Sequence, residues 1–402
     1  IRRTSDAHPT HIRRTSDALP THFRRPAWRT GGSGGLQRRR RRAILIGVNP
    51  TSFDDSLDAL CERQCAFALY RLPGGRQDHF CMQQDGKCGG EGETGAALRG
   101  EAPSAFVISP FSGSPVCIKA EVSEPPRPGR FRLLDEAELP PATDRRRYGE
   151  LFHACLRQLN EVRGDAGALQ KIVLARCADE PRPAHFSPSA AFRQLCTDAP
   201  RSFRALIHCP AFGTWLCATP ELLISGSADS WETMALAGTR VCSTAPWDAK
   251  NRAEQALVAR PIREAITRVT EPPEEQPAES LPAGAIGHLC SRMSFRMSRR
   301  YLPRLLDELQ PTPAVSGYPV RRALDYLREH PDTARDCYAG FLGPTDEGSA
   351  RLFVMLRCMR VLHDRCRLYA GGGIMPDSRE ETEWQETEAK MQPMRRLLLQ
   401  EA

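Results

Sequence analysis

From residue 43 onward the chain is a succession of short apolar runs broken by Gly and Pro clusters, beginning with AILIGVNP, and this texture predicts sheet. FALYRLPGG and AFVISPFSG read as strand-then-turn units, whereas the glycine content of residues 85–103 (DGKCGGEGETGAALRGEAP) predicts a loop. In residues 148–160, YGELFHACLRQLN, Leu151, Cys155 and Leu159 fall at helical spacing. KIVLAR, short and β-branched, predicts a strand after that helix. FRALIHCP, TWLCATP, ELLIS and ETMALAG extend the run of strands. Residues 248–269 predict a helix in which Pro261 removes one backbone donor and should introduce a kink. YPVRRALDYLREH is another helix, CYAGFLG, RLFVMLRCMRVL and CRLYAGG return to strand, and a helix from Glu380 to about Leu399 closes the pattern. Strands arrive in blocks with helices between the blocks. That order predicts an α+β fold, with large antiparallel β-sheets packed together and helices on the outside.

The first 42 residues follow no such pattern. IRRTSDAHPTH (1–11) is repeated as IRRTSDALPTH (12–22), with His8 replaced by Leu19, and GGSGG and an arginine run follow. The composition predicts a disordered leader at 1–42, with a single catalytic domain over 43–402 divided into a variable part at 43–147 and a motif-bearing core at 148–392. A transit peptide or a nucleic-acid-binding tail would share its arginine content. The leader also changes how the charge is read. The whole chain carries +7, but residues 1–42 carry +10, which leaves −3 for residues 43–402. A mildly acidic body gives no basic groove, so no nucleic-acid partner is expected.

With no long uncharged apolar run, no membrane span is expected. Fifteen scattered cysteines without metal-ligand spacing read as reduced thiols of a cytoplasmic protein. The oligomeric state is open, a monomer being the expectation.

The candidate chemistry gathers near the C-terminus, in GGGIMPDSREETEWQETEAK (371–390). Glu383, Glu386 and Lys390 share one helix face at i, i+3 and i+7, after what reads as a glycine turn. Such a face is ordinarily solvated ion pairs. Trp384 between the glutamates and the glycines before them point instead to a ligand held close to backbone. Glu254, on the predicted 248–269 helix, taken alone reads as a surface partner of Lys250. Glutamates from separate helices converging with water on an anionic ligand would suit Mg²⁺.

KIVLAR (171–176), ATPELLIS (218–225), ALAGTR (235–240), LQPTPAVSGYP (309–319), YAGFLG (338–343), FVMLRC (353–358) and YAGGGIMPDS with EWQETEAK together resemble the chorismate-utilising enzymes, in that family's order. The resemblance implies the chorismate-binding fold with its active site in a central cleft. Lys171, where ammonia-using members typically carry Gln, and Ala237, where aminodeoxychorismate synthases carry a nucleophilic Lys, resemble the water-using branch. ALAGTR leans toward isochorismate synthase, in menaquinone or siderophore biosynthesis. Salicylate synthase and the anthranilate synthase large subunit are the alternatives, and a basic-tailed nucleic-acid-binding protein is the non-enzymatic one.

The implied reaction adds water to C2 of chorismate while the C4 hydroxyl departs, which needs a base on one side and an acid on the other. By resemblance Lys171 activates the water and Glu221 protonates the leaving group. Mg²⁺ would be held by Glu254 and Glu386, with Glu383 close by. Arg357 and Tyr338 would hold the enolpyruvyl carboxylate, Gly371 and Gly373 would offer backbone donors, Lys390 would add positive charge, and Thr239 and His288 would line the pocket. The chain departs from the family pattern at Gln255, Gln310 and Pro261, and a tilt at Pro261 would disturb Glu254.

Overall fold

The computed structural model describes residues 57–58, 60 and 65–399, apart from 84–86, 122–138, 162–166, 242–245 and 284–285. The leader and AILIGVNP lie outside the described residues.

Along the chain run β1 (Phe67–Arg71), β2 (His79–Met82), α1 (Glu91–Arg99), β3 (Ala105–Ser109), β4 (Val116–Lys119), α2 (Arg145–Glu161) and β5 (Lys171–Pro181). There follow α3 (Pro188–Asp198), β6 (Phe203–Cys209), β7 (Gly213–Thr219), β8 (Leu222–Ser227), β9 (Ser230–Val241) and α4 (Ala249–Thr267). The next elements are β10 (Glu274–Glu275), β11 (Glu279–Ala283), β12 (Ile286–Arg296), α5 (Leu302–Leu309), β13 (Gly317–Tyr318) and α6 (Val320–Glu329). Last come β14 (Phe341–Thr345), β15 (Ser349–Val354), β16 (Cys358–Val361), β17 (Arg365–Ile374) and α7 (Glu380–Arg396).

These strands form two antiparallel sheets. One has the order β13-β5-β17-β16-β7-β6-β1-β2, and the other β10-β12-β9-β8-β15-β14-β3-β4, with β11 on β12. Alternation along each strand decides what every face meets. On β6 and β7, Phe203, Ala205, Ile207, Trp215 and Cys217 join the apolar layer that also contains Phe106, Phe353 and Ile224 of the other sheet. The rings of Phe203 and Phe353 stack at 4.2 Å across that layer. The intervening Leu206 and Leu216 face outward, where Phe192 and Leu195 of α3 and Met391 and Met394 of α7 cover them. A third cluster packs Tyr148, Leu151 and Phe152 of α2 and Ala323 and Tyr326 of α6 against Ile172 and Leu174 of β5. The α+β arrangement with helices outside is therefore what the strand blocks predicted.

The structure corrects several local readings. Within 85–103, expected to be loop, lies helix α1, and its glycines serve as caps. Gly90 is the N-cap, where its N–H donates to Glu93, and Gly100 takes the left-handed conformation (φ 76°) that closes the helix. CYAGFLG is strand only from Phe341, and RLFVMLRCMRVL is two strands interrupted at Met355–Arg357. The presumed glycine turn at 371–373 is the interior of β17, with Gly371, Gly372 and Gly373 opposite Ala175, Leu174 and Val173 of β5. Helix α4 continues through Pro261, whose missing N–H removes only the bond to the Leu257 carbonyl and so leaves the first turns around Glu254 intact.

Candidate active site

Two places where the chain passes from one sheet to the other build the centre of the site. Pro220 and Glu221 lie between β7 and β8, and Met355, Leu356 and Arg357 between β15 and β16. The two crossings run side by side: Ala218 N–H donates to Arg357 O (3.0 Å) and Val354 N–H to Glu221 O (3.1 Å). Arg357 turns the corner in the left-handed region, at φ 47°, an uncommon conformation for an arginine. Both side chains are thereby delivered between the sheets, buried to 4% and 8% exposure.

A bulge brings the next pair. Along β9 and β12, His288 faces Thr239 but Leu289 faces Ala237, so Gly238 is the extra residue, at φ 72°. Thr239 N–H is held by Asn251 Oδ1 of α4 at 3.1 Å. His288 Nδ1 lies 3.1 Å from Gly238 O and 3.3 Å from Thr239 Oγ1, and its Nε2 lies 3.0 Å from Arg357 Nη2. A guanidinium only donates, so Nε2 accepts and the ring proton sits on Nδ1. Burial, reinforced by Arg357 and Lys390, brings the imidazole down to about 3, so His288 is a neutral acceptor that orients Arg357. Burial also lowers Arg357 to about 10, against the pull of Glu386, and it stays charged at neutral pH.

Lys171, the first residue of β5, is 1% exposed, and its Nζ lies 2.9 Å from Glu254 Oε1. Glu221 is pushed up to about 8 by burial, although Lys171 and Lys390 pull the other way, so it is a protonated acid at neutral pH. On α7, Lys390 spans Glu386 (2.6 Å) and the carbonyl of Gly371 (2.8 Å). Burial opposes ionisation of Glu386. The Lys390 ammonium, aided by a hydrogen bond from Thr239, outweighs it and holds the carboxyl below its ordinary range. Burial likewise raises the Tyr338 hydroxyl, leaving a neutral phenol.

All the expected catalytic, substrate and metal residues except Glu383 line this one cavity: Lys171, Glu221, Thr239, Glu254, His288, Tyr338, Arg357, Gly371, Gly373, Glu386 and Lys390. Trp384 packs instead against Arg176 and Tyr148. Glu383 is not among the lining residues but lies beside the glycine strand, 3.2 Å from where a Cβ on Gly372 would stand. It is buried, receives a hydrogen bond from Ser378 (2.7 Å) and pairs with Lys250 (3.2 Å). Burial, with Glu386 nearby, raises its carboxyl. The glycines are needed for what they lack: a Cβ on Gly371 would stand 2.9 Å from Tyr338 Oη, and one on Gly373 would stand 2.7 Å from Glu254 Oε1. Lys250, Asn251, Leu236, Val315, Leu356 and Tyr369 were not foreseen, although KNRAE itself marks the first two as neighbours of Glu254 on one helix.

Among the described residues no three His, Cys, Asp or Glu side chains are gathered into a metal-binding group. Glu254, Glu383 and Glu386 are instead each held by a lysine. Their chemistry nevertheless fits a hard divalent cation, being oxygen-only donors, and all three act electrostatically on the Lys250 ammonium.

Residues 135–399 match the family described as chorismate binding enzyme, and the chain belongs to that family. Among curated relatives, the salicylate biosynthesis isochorismate synthase of Pseudomonas aeruginosa is 37% identical over 198 residues, covering 46% of this chain and 42% of that protein. The isochorismate synthase MenF of Escherichia coli is 30% identical over 250 residues (58% of this chain, 57% of that one). Anthranilate synthase component 1 of Aeropyrum pernix is 27% identical over 396 residues, covering 91% and 88%. The matches to the first two span about half the length of those relatives. The fold is also that of solved structures: MenF of E. coli (TM-score 0.68, 20% identity, 85% of this chain and 91% of that one) and the isochorismate synthase DhbC of Bacillus anthracis, described as putative (0.69, 23%, 85% and 99%). Among the described residues no helix is long and apolar enough to cross a membrane.

Proposed function

We propose that this chain is an isochorismate synthase, which converts chorismate to isochorismate by adding water at C2 as the C4 hydroxyl leaves. The observation that carries this reading is the pairing, in one cavity, of Lys171 with a Glu221 that is protonated at neutral pH. Glu221 delivers its proton to the departing C4 oxygen, and Lys171 is the base that takes a proton from the water that attacks C2. The two transfers are complementary, so the pair of residues returns to its starting protonation through solvent.

Substrate charge is met by the same walls. Arg357, aimed by His288, presents a planar fork to the enolpyruvyl carboxylate, and the Tyr338 hydroxyl donates beside it. The glycine strand lets the ring lie against backbone, where Gly371 and Gly373 can donate, and Lys390 adds positive charge. Glu254 and Glu386 would hold Mg²⁺, with Glu383 as an outer support; when bound, that ion would neutralise the ring carboxylate. Residues 43–402 would form the catalytic domain and 1–42 a separable leader. The Lys171 and Ala237 pair favours water over ammonia as nucleophile.

Incubating the purified chain with chorismate and Mg²⁺ tests the reading. Isochorismate as the major product supports it. Pyruvate with fluorescent salicylate would reassign the chain to the salicylate synthases, and ammonia-dependent anthranilate to the anthranilate synthases.

A further inference from the structure

Away from the cavity, two thiols distant in sequence meet. Cys88 Sγ lies 2.9 Å from Cys209 Sγ, across a separation of 121 residues. Both backbones are fixed. Gly89, next to Cys88, exchanges two hydrogen bonds with Cys117 of β4 (2.7 and 3.1 Å), and Cys209 ends β6 opposite Gly213, where the hairpin to β7 begins. The sulfurs therefore meet because two ordered elements meet. A disulfide needs its sulfurs about 2.0 Å apart, so bonding requires roughly 1 Å of approach.

We propose that Cys88 and Cys209 are a reversible dithiol–disulfide oxidation site, reacting with hydrogen peroxide or a related two-electron oxidant. Cys88 is half-buried, which leaves the oxidant a route, while Cys209 is 1% exposed. The Cys88 thiolate attacks one peroxide oxygen, the O–O bond breaks, and a sulfenic acid and water result. The Cys209 thiolate then attacks the Cys88 sulfur, the S–O bond breaks, and the S–S bond forms with release of a second water. Two thiols lose two electrons and two protons, and one peroxide becomes two waters.

The electrostatics select this pair. The hydrogen bond from Cys88 brings the Cys209 thiol down against the opposing effect of burial, whereas burial pushes up Cys117 and Cys337, the neighbouring competitors. A thiol held protonated is a poor nucleophile, which disfavours Cys117 and Cys337, and the burial of Cys209 beside the more accessible Cys88 makes Cys209 the resolving partner.

The test is to treat the reduced full chain with hydrogen peroxide, cap remaining thiols with N-ethylmaleimide, digest without reductant and analyse by mass spectrometry. The expected product joins the peptides of Cys88 and Cys209, is lighter by two hydrogens than the reduced pair, and disappears with dithiothreitol. Cys88→Ser and Cys209→Ser should each abolish it. Cys88, at a half-buried position, should tolerate serine without change in thermal melting, so that variant remains informative if Cys209→Ser fails to fold. Recovery of both cysteines as maleimide adducts, a stable sulfenic acid at Cys88, or a bond from Cys88 to Cys117 overturns the proposal.

Discussion

The Lys171 ammonium and the Glu254 carboxylate meet at 2.9 Å, the lysine side chain 2% exposed and that of the glutamate 16%. Neighbours along α4 make Glu254 look like the partner of Lys250, but the fold gives Lys250 to Glu383 and Glu254 to a strand more than eighty residues upstream. The pair places the proposed base against a proposed cation ligand, and five expectations follow from such placements.

Lys171→Ala should reduce turnover by about 10²–10⁴-fold, the usual contribution of a positioned base. Chorismate affinity, read by isothermal titration calorimetry, should change only a few-fold, because Arg357, Tyr338 and Lys390 retain the carboxylates. Wild-type turnover would remove Lys171 from the mechanism.

Glu221→Gln should also lose most turnover, and the wild-type rate should fall as pH rises through about 8, where the acid ionises. The substitution should affect stability in the opposite sense to turnover. A carboxyl raised from 4.5 to about 8 in the folded state favours folding fully only below about pH 4.5, and that contribution drains away as pH rises toward 8. At pH 7 the glutamine variant should therefore be as stable as wild type or more so, by on the order of 1–3 kcal/mol. Urea melts at pH 5 and pH 7 provide the check, the variant's advantage being larger at pH 7.

Glu386→Ala should raise the Mg²⁺ concentration needed for half-maximal activity by tenfold or more, whereas Glu383→Gln, outside the cavity lining and held by Ser378 and Lys250, should have a smaller effect. Metal titrations of the three proteins decide it, and equal midpoints would sink the assignment.

Arg357→Lys should raise KM about 10- to 100-fold, since an ammonium cannot reproduce the two-pronged contact. His288→Leu should do the same more weakly, by freeing the guanidinium. An unchanged KM in both variants would place the enolpyruvyl group elsewhere.

Gly373→Ala should displace Lys171 and Glu254, because its methyl would fall within 2.7 Å of the Glu254 oxygen. The expected result is a loss of turnover together with about 1–3 kcal/mol of stability, the usual cost of overpacking. Gly74→Ala, with nothing within 4 Å of the added carbon, meets only the strain of its positive φ and should leave turnover unchanged.

Much of this was legible in the residues. The alternation of β6 and β7 fixes which side chains face which layer, the i, i+4 spacing of Glu386 and Lys390 became an ion pair, and the motif order collected eleven of the expected residues around one cavity. Helix α1 was hidden because glycine signals a loop unless its neighbours supply caps, and whether Gly90 and Gly100 are caps depends on their conformations. The same ambiguity made a strand interior, Gly371 to Gly373, look like a turn. Only the approach of Tyr338, Glu383 and the Lys171–Glu254 pair reveals why no side chain fits there.

The sequence by itself determined most strands and helices outside the glycine-rich segments, where the charge lies and which residue types carry the chemistry, because period, composition and spacing are local properties. Tertiary structure decided which carboxylate is protonated, which lysine pairs with which glutamate, and which thiols touch. Those are set by burial and by distances between residues far apart along the chain. Glu221 illustrates the difference: TPELL shows a carboxylate after a proline at the start of a predicted strand, and only the crossing between two sheets buries it and turns it into an acid.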